Sequence, residues 1–211
     1  MLDIHKLRQD YQLRSLDLPD LDPDPIKQFE QWFQEALHAH VLEPNAMTLA
    51  TASLQAAPSC RTMLLKAIDT GFIFFTNYES RKGRELDENP QASLGFLWKE
   101  LERQVIIEGC AEKLSRQESE RYFLSRPRGS QLGAWASHQS QVIPSRSALE
   151  EAFEHVNKEY EGKIIPLPPY WGGYRLLPKR FEFWQGRHNR LHDRLSYKLI
   201  NQIWTIERLA P

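Results

Sequence analysis

The chain has 211 residues, 27 Lys and Arg against 28 Asp and Glu, a formal net charge of -1, and two cysteines. That length suits one domain with a real core, and the near-neutral charge excludes a global field for holding nucleic acid or an acidic membrane, so any anion must be bound locally. The charged start MLDIHKLRQDY carries no apolar run, no segment approaches the ~20 apolar residues of a membrane helix, and Cys60 and Cys110 lack metal-ligand spacing; the expectation is a cytoplasmic protein with no metal and with its thiols packed as small hydrophobes.

In chain order, residues 1–23 are polar and interrupted by Pro19 and Pro23. They read as an extended arm carrying Arg8, Asp10 and Tyr11, and residues 24–211 read as a single domain. Asp24 caps a helix with Pro25 at its first position. Ile26, Phe29, Trp32, Phe33, Ala36 and Leu37 form its apolar face at spacings of three and four.

From Ala46 the period becomes two. MTLATAS, RTMLLKAI, FIFFTN, SLGFLW (93–98), RQVIIEGCAEKL (103–114), YRLLPKRFEFWQ and QIWTIERL are short strands separated by breaks. Helices interrupt them. One spans 80–89, with Ser80 as cap and Pro90 as stop. A second opens on the Ser115/Glu118 capping box and ends near Pro127. The third, 145–160, puts Ala148, Leu149, Ala152, Phe153, Val156 and Tyr160 on one face, with Gly162 at its end. IIPLPPYWGGY (164–174) reads as irregular because of its prolines and glycines. These elements predict an α+β fold: a mainly antiparallel β-barrel with surrounding helices.

Chemistry gathers in a few groups. Arg61 and Lys66 flank the strand TMLL and project to opposite faces if it is regular. Thr76, Ser80, Arg81 and Lys82 place a hydroxyl, a guanidinium and an ammonium at a helix N-terminus, which suits a phosphate. Tyr122 and Arg126 are four apart and predict a shared helix face, with Ser130 on the following loop. Gln139 and Ser140 offer neutral hydrogen bonds to a heteroaromatic edge. FEFWQGRHNRLHDR (181–194) opens as a strand, breaks at Gly186, and then packs Arg187, His188, Arg190, His192, Asp193 and Arg194 together. Singly, each group reads as a solvated basic surface; their recurrence points to anionic ligands. No GxSxG, HExxH, CxxC, P-loop or dinucleotide fingerprint is present.

RTMLLK, FFTNYESRKGREL, LERQVIIEG, RYFLSRPRGSQLGAWASHQS, PLPPYWGGYR, FEFWQGRHNRLHDR and the closing ERLAP resemble, in order, the pattern of the pyridoxine/pyridoxamine 5′-phosphate oxidase family. The resemblance runs from about Leu7 to the last residue. It implies an FMN-binding split β-barrel homodimer that oxidises pyridoxine or pyridoxamine 5′-phosphate to pyridoxal 5′-phosphate and reduces dioxygen to hydrogen peroxide. By motif it implies FMN contacts at Arg61, Lys66, Phe75, Thr76, Ser80, Arg81, Lys82, Gln104, Gln139, Ser140, Trp184 and Arg194. It implies substrate contacts at Arg8, Tyr11, Lys66, Tyr122, Arg126, Ser130, Arg190 and His192, with Arg190 and His192 catalytic. Phe75 stands where the family often carries tyrosine, which leaves its backbone as the polar contact, and the arm between Tyr11 and Leu16 is short.

Other readings remain at this point. A split-barrel reductase of flavins or deazaflavins would not need the 122–130 and 190–192 groups. A non-catalytic pyridoxal phosphate carrier would not need Arg190 and His192. An oligonucleotide-binding barrel would need more positive charge.

Overall fold

The computed structural model describes residues 3, 6–7 and 10–211; Arg8 lies outside the described residues. Helix α1 (Pro25–His38) starts where expected: the Asp24 carboxylate accepts the Ile26 N–H and Pro25 occupies the first turn. Phe29, Trp32 and Ala36 are buried, whereas Leu37 lies at the rim of that face and is exposed.

Nine strands among the described residues form one antiparallel sheet: β1 (Ala46–Ala52), β2 (Pro58–Leu64), β3 (Ala67–Ile68), β4 (Phe72–Asn77), β5 (Gln91–Trp98), β6 (Arg103–Lys113), β7 (Trp171–Gln185), β8 (Asp193–Ile200) and β9 (Ile203–Leu209). The order is β2-β1-β5-β6-β7-β4-β3, with β8 on β7 and β9 on β8. The sheet curls into a half-barrel around Phe29, Phe72, Phe74, Phe96, Phe181 and Phe183, all fully buried. Alternation along 181–184 holds: the two phenylalanines face the core. No helix among the described residues is long and apolar enough to cross a membrane.

Strand β7 organises the sheet. Along one side it pairs with β6 over its length. On the other side its first half pairs with β4 and its second half with β8. The split falls at Pro178, which has no N–H to give a ladder. There β6 meets a bulge between Glu108 and Gly109, and a side chain at Gly109 would collide with the Leu177 backbone.

Helices α2 (Arg81–Glu88), α3 (Arg116–Ser125), α4 (Arg128–Ala136) and α5 (Arg146–Glu159) lie outside the sheet. Ser80, Ser115 and Ser145 cap α2, α3 and α5, and the Ser115/Glu118 capping box forms as read from the sequence. A second cluster of Phe123, Leu132, Ile165, Leu167 and Trp171 seats α3 to α5.

Several sequence expectations are corrected. The irregular stretch ends sooner, because Trp171 to Gly173 belong to β7. Gly172 and Gly173 are there for close approach, since side chains would strike Tyr78 and Phe75 respectively. Residues 128–136, read as loop, form α4. Tyr122 and Arg126 do not share a helix face: α3 stops at Ser125 and Arg126 is extended (φ -75, ψ 150), while Ser130 sits in the first turn of α4. Residues 193–200, not read as a strand, form β8. Cys60 is exposed on the edge strand β2 and Cys110 is half-buried; both are free thiols.

Candidate functional site

Two clusters stand at opposite ends of β7. The first is built on the β4–α2 junction. Phe75 and Thr76 lie opposite Gly173 and Gly172. The chain then turns so that Ser80 caps α2, accepting the Gly83 N–H. Lys82 Nζ points back from the helix and donates to Thr76 Oγ1 at 3.2 Å, Ser80 Oγ at 3.3 Å and Gln139 Oε1 at 3.1 Å. Ser140 Oγ accepts the Arg81 N–H at 3.2 Å. Thr76, Ser80, Arg81, Lys82, Gln139 and Ser140 therefore converge around one helix N-terminus, a geometry suited to a phosphate.

Lys82 is buried, and among the described residues no carboxylate pairs with it. Burial, reinforced by the Arg61 charge and opposed by Glu85, pushes its ammonium down to about 8. Glu85 lies behind it, bridging Arg61 at 3.4 Å and Arg81 at 2.8 Å. Burial would raise the Glu85 carboxyl, but donors from Ser59, Thr51 and Arg81 outweigh it and hold it at about 2. The two arginines of this corner are thus held in place by an ionised carboxylate.

Beside the cradle lies a cavity of about 330 Å³ lined by Phe75, Thr76, Asn77, Arg126, Gln139 and Trp171, among others. The Phe75 ring stacks on Tyr122 with centroids 3.8 Å apart, and the Arg126 guanidinium sits 4.7 Å over Trp171. Among the described residues, two buried side-chain polar atoms have no hydrogen-bond partner: Asn77 Nδ2 and Arg126 Nη1. Both residues line this one cavity, and both atoms are donors. A buried donor left unmade is costly, so their coincidence marks a place shaped for an acceptor-rich ligand. Asn77 was not singled out from the sequence; it lies inside FFTNYES, and only its burial distinguishes it. Ser130 is exposed on α4, past the edge of this cavity.

The second cluster spans three strands. Gln104 on β6 lies opposite Trp184 on β7, which lies opposite Arg194 on β8. Arg194 is held by both oxygens of the buried Glu182, at 2.8 and 3.0 Å. The His192 ring packs 4.6 Å from Trp184, and Tyr11 of the arm meets both edge-on at 5.7 and 5.8 Å. The Arg187 N–H donates to His192 Nδ1, which leaves the proton of the neutral imidazole on Nε2. Burial and the neighbouring Arg190 both push His192 down, against a smaller pull from Asp193, and so favour that neutral form. Arg190 is exposed and follows Asn189 into left-handed backbone (φ 62 and 54). A cavity of about 420 Å³ opens between Tyr11, Leu97, Lys99, Glu102, Gln104 and Trp184.

Gly172 and Trp184 are twelve residues apart on β7, roughly 40 Å along the strand at ~3.3 Å per residue. Within one chain the two clusters therefore sit at opposite ends of the longest strand. Lys66 belongs to neither: it is exposed beside a separate groove of about 780 Å³ between α1 and the β2–β3 turn. Arg61 stays with the first cluster, through Thr51, Ser59 and Glu85.

Comparison with known proteins gives the family. A family model described as pyridoxamine 5′-phosphate oxidase matches residues 33–160, and one described as the pyridoxine 5′-phosphate oxidase C-terminal dimerisation region matches residues 171–211. The pyridoxine/pyridoxamine 5′-phosphate oxidase of Rippkaea orientalis is 57% identical over 212 residues, covering 100% of each chain. PhzG from Burkholderia lata, solved with tetrahydrophenazine-1-carboxylic acid, is 34% identical with a TM-score of 0.90, covering 96% of this chain and 100% of that one. A related FMN-binding protein from Nostoc punctiforme shares the fold at 17% identity, with a TM-score of 0.70 over 90% of this chain and 100% of that one. Two matched models in the expected order, and identity above half over the full length, lead to one conclusion: this chain belongs to the pyridoxamine 5′-phosphate oxidase family.

Proposed function

We propose that the chain is an FMN-dependent oxidase that converts pyridoxine 5′-phosphate or pyridoxamine 5′-phosphate to pyridoxal 5′-phosphate. Dioxygen is the final acceptor and hydrogen peroxide the by-product. The observation that carries the reading is the pair of cation sites at the first cluster: the Lys82 cradle and, beside it, the cavity with the unpartnered donors of Arg126 and Asn77. A flavin mononucleotide and a phosphorylated pyridine each bring one phosphate. The high identity to curated oxidases supports the same assignment.

The working unit is a homodimer, in which the 171–211 region supplies the interface and the second cluster of one subunit faces the first cluster of its partner. Residues 24–211 act as one split-barrel unit with 1–23 as its arm, whose described residues from Asp10 on are tied to it through His188, Glu102 and Asp193. We place the protein in the cytoplasm, where the free thiols Cys60 and Cys110 stay reduced.

FMN, when bound, supplies the hydride acceptor and the route to dioxygen. The chain's own residues do the rest. Thr76, Ser80, Arg81, Lys82, Gln139 and Ser140 bind the flavin phosphate, with Arg61 aligned behind them by Glu85. Phe75, Gln104, Trp184 and Arg194 line the ring system, and Lys66 approaches from the partner. Tyr122, Arg126 and Ser130 take the substrate phosphate. Arg190 covers the pyridine, His192 donates from Nε2 to its polar substituents, and Tyr11 closes the arm side; Arg8, outside the described residues, is assigned to the substrate by the family pattern alone. Holding two flat rings face to face and shedding water is the protein's main contribution to the rate.

The purified protein loaded with FMN is expected to be yellow, and with pyridoxamine 5′-phosphate under air to form aldehyde and peroxide in equal amounts. A protein that binds no flavin, or one bleached only by a nicotinamide donor, would overturn the assignment. A second expectation concerns pH. Lys82 must be charged to hold a phosphate, and in the ligand-free chain it titrates at about 8. While the phosphate stays a dianion, above about pH 6, FMN affinity changes little up to that pH and falls above it, by up to about tenfold per unit. Calorimetry near pH 8 in buffers of different ionisation enthalpy should register proton uptake on binding; its absence would separate Lys82 from the phosphate.

A further inference from the structure

Glu102 has no part in the binding scheme above, yet its geometry is unusual. It ends the 3-10 turn 99–101 in left-handed backbone (φ 54, ψ 39), a conformation that favours Gly or Asn. Its carbonyl accepts the Gly186 N–H at 2.8 Å, which fixes the residue against the end of β7. Its carboxylate then reaches the arm: a single oxygen, Oε2, accepts the backbone N–H of Gln12 at 2.8 Å and of Leu13 at 3.0 Å. Two consecutive amides on one carboxylate oxygen hold a segment of backbone and leave its side chains uninvolved, so the grip is independent of what residues 12 and 13 carry.

The residue next to that grip is Tyr11, whose ring meets Trp184 and His192. Its seat is Gly186. A Cβ there would lie 2.7 Å from Tyr11 Cβ and Cγ and 3.1 Å from Glu102 Cβ. The glycine that ends the strand therefore leaves room for the arm's tyrosine. On the other side of Tyr11, Asp10 meets His188 Nδ1 at 2.6 Å. The arm is also tied farther along, where the Leu16 N–H donates to Asp193.

We propose that Glu102 is a positioning residue: its carboxylate clasps the arm backbone so that Tyr11, seated on Gly186, closes the substrate side of the site over Trp184 and His192. The inference rests on the oxidase reading for its catalytic meaning, and on the clasp geometry alone for its structural meaning. Glu102 acts through the arm backbone, although it shares a cavity with Gln104 and Trp184. It lowers the cost of ordering the arm when substrate arrives.

The test is Glu102→Asn in the FMN-loaded enzyme. Asparagine tolerates the left-handed backbone but is one methylene too short to reach the arm, which stays anchored at Leu16. The amides of Gln12 and Leu13 are expected to exchange with solvent at least about tenfold faster. KM for pyridoxamine 5′-phosphate is expected to rise about tenfold, with kcat and FMN affinity unchanged within about twofold. Gly186→Ala, whose methyl would displace Tyr11 and crowd Glu102 Cβ without removing its carboxylate, should raise KM in the same way. Unchanged exchange at Gln12 and Leu13 in Glu102→Asn would overturn the clasp, and faster exchange with unchanged KM would overturn its positioning role. Failure of the oxidase reading appears separately, as unsubstituted enzyme that makes no peroxide from either substrate, while the amide exchange still decides the clasp.

Discussion

Arg126→Met is expected to raise the KM for pyridoxamine 5′-phosphate by about two orders of magnitude while leaving the fold at least as stable as before. In the ligand-free chain the guanidinium is half-buried and its Nη1 has no partner. Burial already disfavours its charge, yet arginine does not give up its proton at ordinary pH. The fold therefore carries a desolvated donor that nothing in the protein satisfies. A methionine gives up the guanidinium's place over Trp171 and Phe123 but sets an apolar side chain of similar length beside those rings and removes the unmet donor. With substrate present the balance reverses. Loss of charge-assisted bonds to a phosphate costs about 3 kcal/mol, roughly a hundredfold in affinity. Steady-state kinetics and a melting curve on the same preparation check both halves. A variant that loses stability and keeps its KM would place Arg126 in the architecture of the chain and outside its chemistry.

Lys82→Met is expected to weaken FMN binding by about a hundredfold or more and, without ligand, to raise the melting temperature at neutral pH. Lys82 has its folded pKa below the unfolded value: about 8 in the fold against 10.5 for a free lysine side chain. Between those two values the unfolded chain binds more protons, so wild-type stability rises with pH across that window. The cost of holding the charge is fully present below about pH 8 and is relieved as pH climbs toward 10.5. Methionine removes that cost, so the variant's advantage is largest below pH 8 and closes above it. Discounted for solvent, the gain is on the order of 1 kcal/mol, or about 2–4 °C. Thr76 and Gln139 keep their own hydrogen bond in the variant, which limits the loss. Flavin titration and melting curves across pH 7–10 decide it. Unchanged FMN affinity, or a melting temperature that falls at every pH, would remove Lys82 from the phosphate site.

Opposite signs for stability and binding at Arg126 and Lys82 are what a binding site requires. A purely structural cation comes with its carboxylate, as Arg175 does with Asp69, Glu112 and Glu118. A cation kept for a ligand carries a cost in the empty fold and stabilises only the complex.

Much of this was legible in the residues. Period-two runs located the strands through 114, because each has one face in the core and one toward solvent. Ser80 announced α2, and the cations beside it announced the anion cradle. Chain order could not show where those cations lie relative to the second group. The separation of Thr76 from Trp184 is a property of β7, whose start was concealed by Gly172 and Gly173, residues that locally read as breakers. Gly129 and Gly133 hid α4 in the same way. The charged start Asp193–Arg194 masked the alternation of Leu195 and Tyr197 in β8. Asn77, Glu85 and Glu102 were invisible for a different reason: each matters through a partner 24 to 90 residues away, or through having none. No local pattern encodes that.

The most direct test of the account is subunit complementation. Arg126→Met alters the first cluster and His192→Ala the second, and each homodimer should be nearly inactive at a substrate concentration near the wild-type KM. When the two are unfolded together and refolded as mixed dimers, half are heterodimers, and one of the two sites in each combines an intact first cluster with an intact second cluster from its partner. The account predicts recovery to about a quarter of wild-type activity. Mixed dimers that form but recover nothing would show that both clusters of a working site come from the same chain, and would contradict a site shared between subunits.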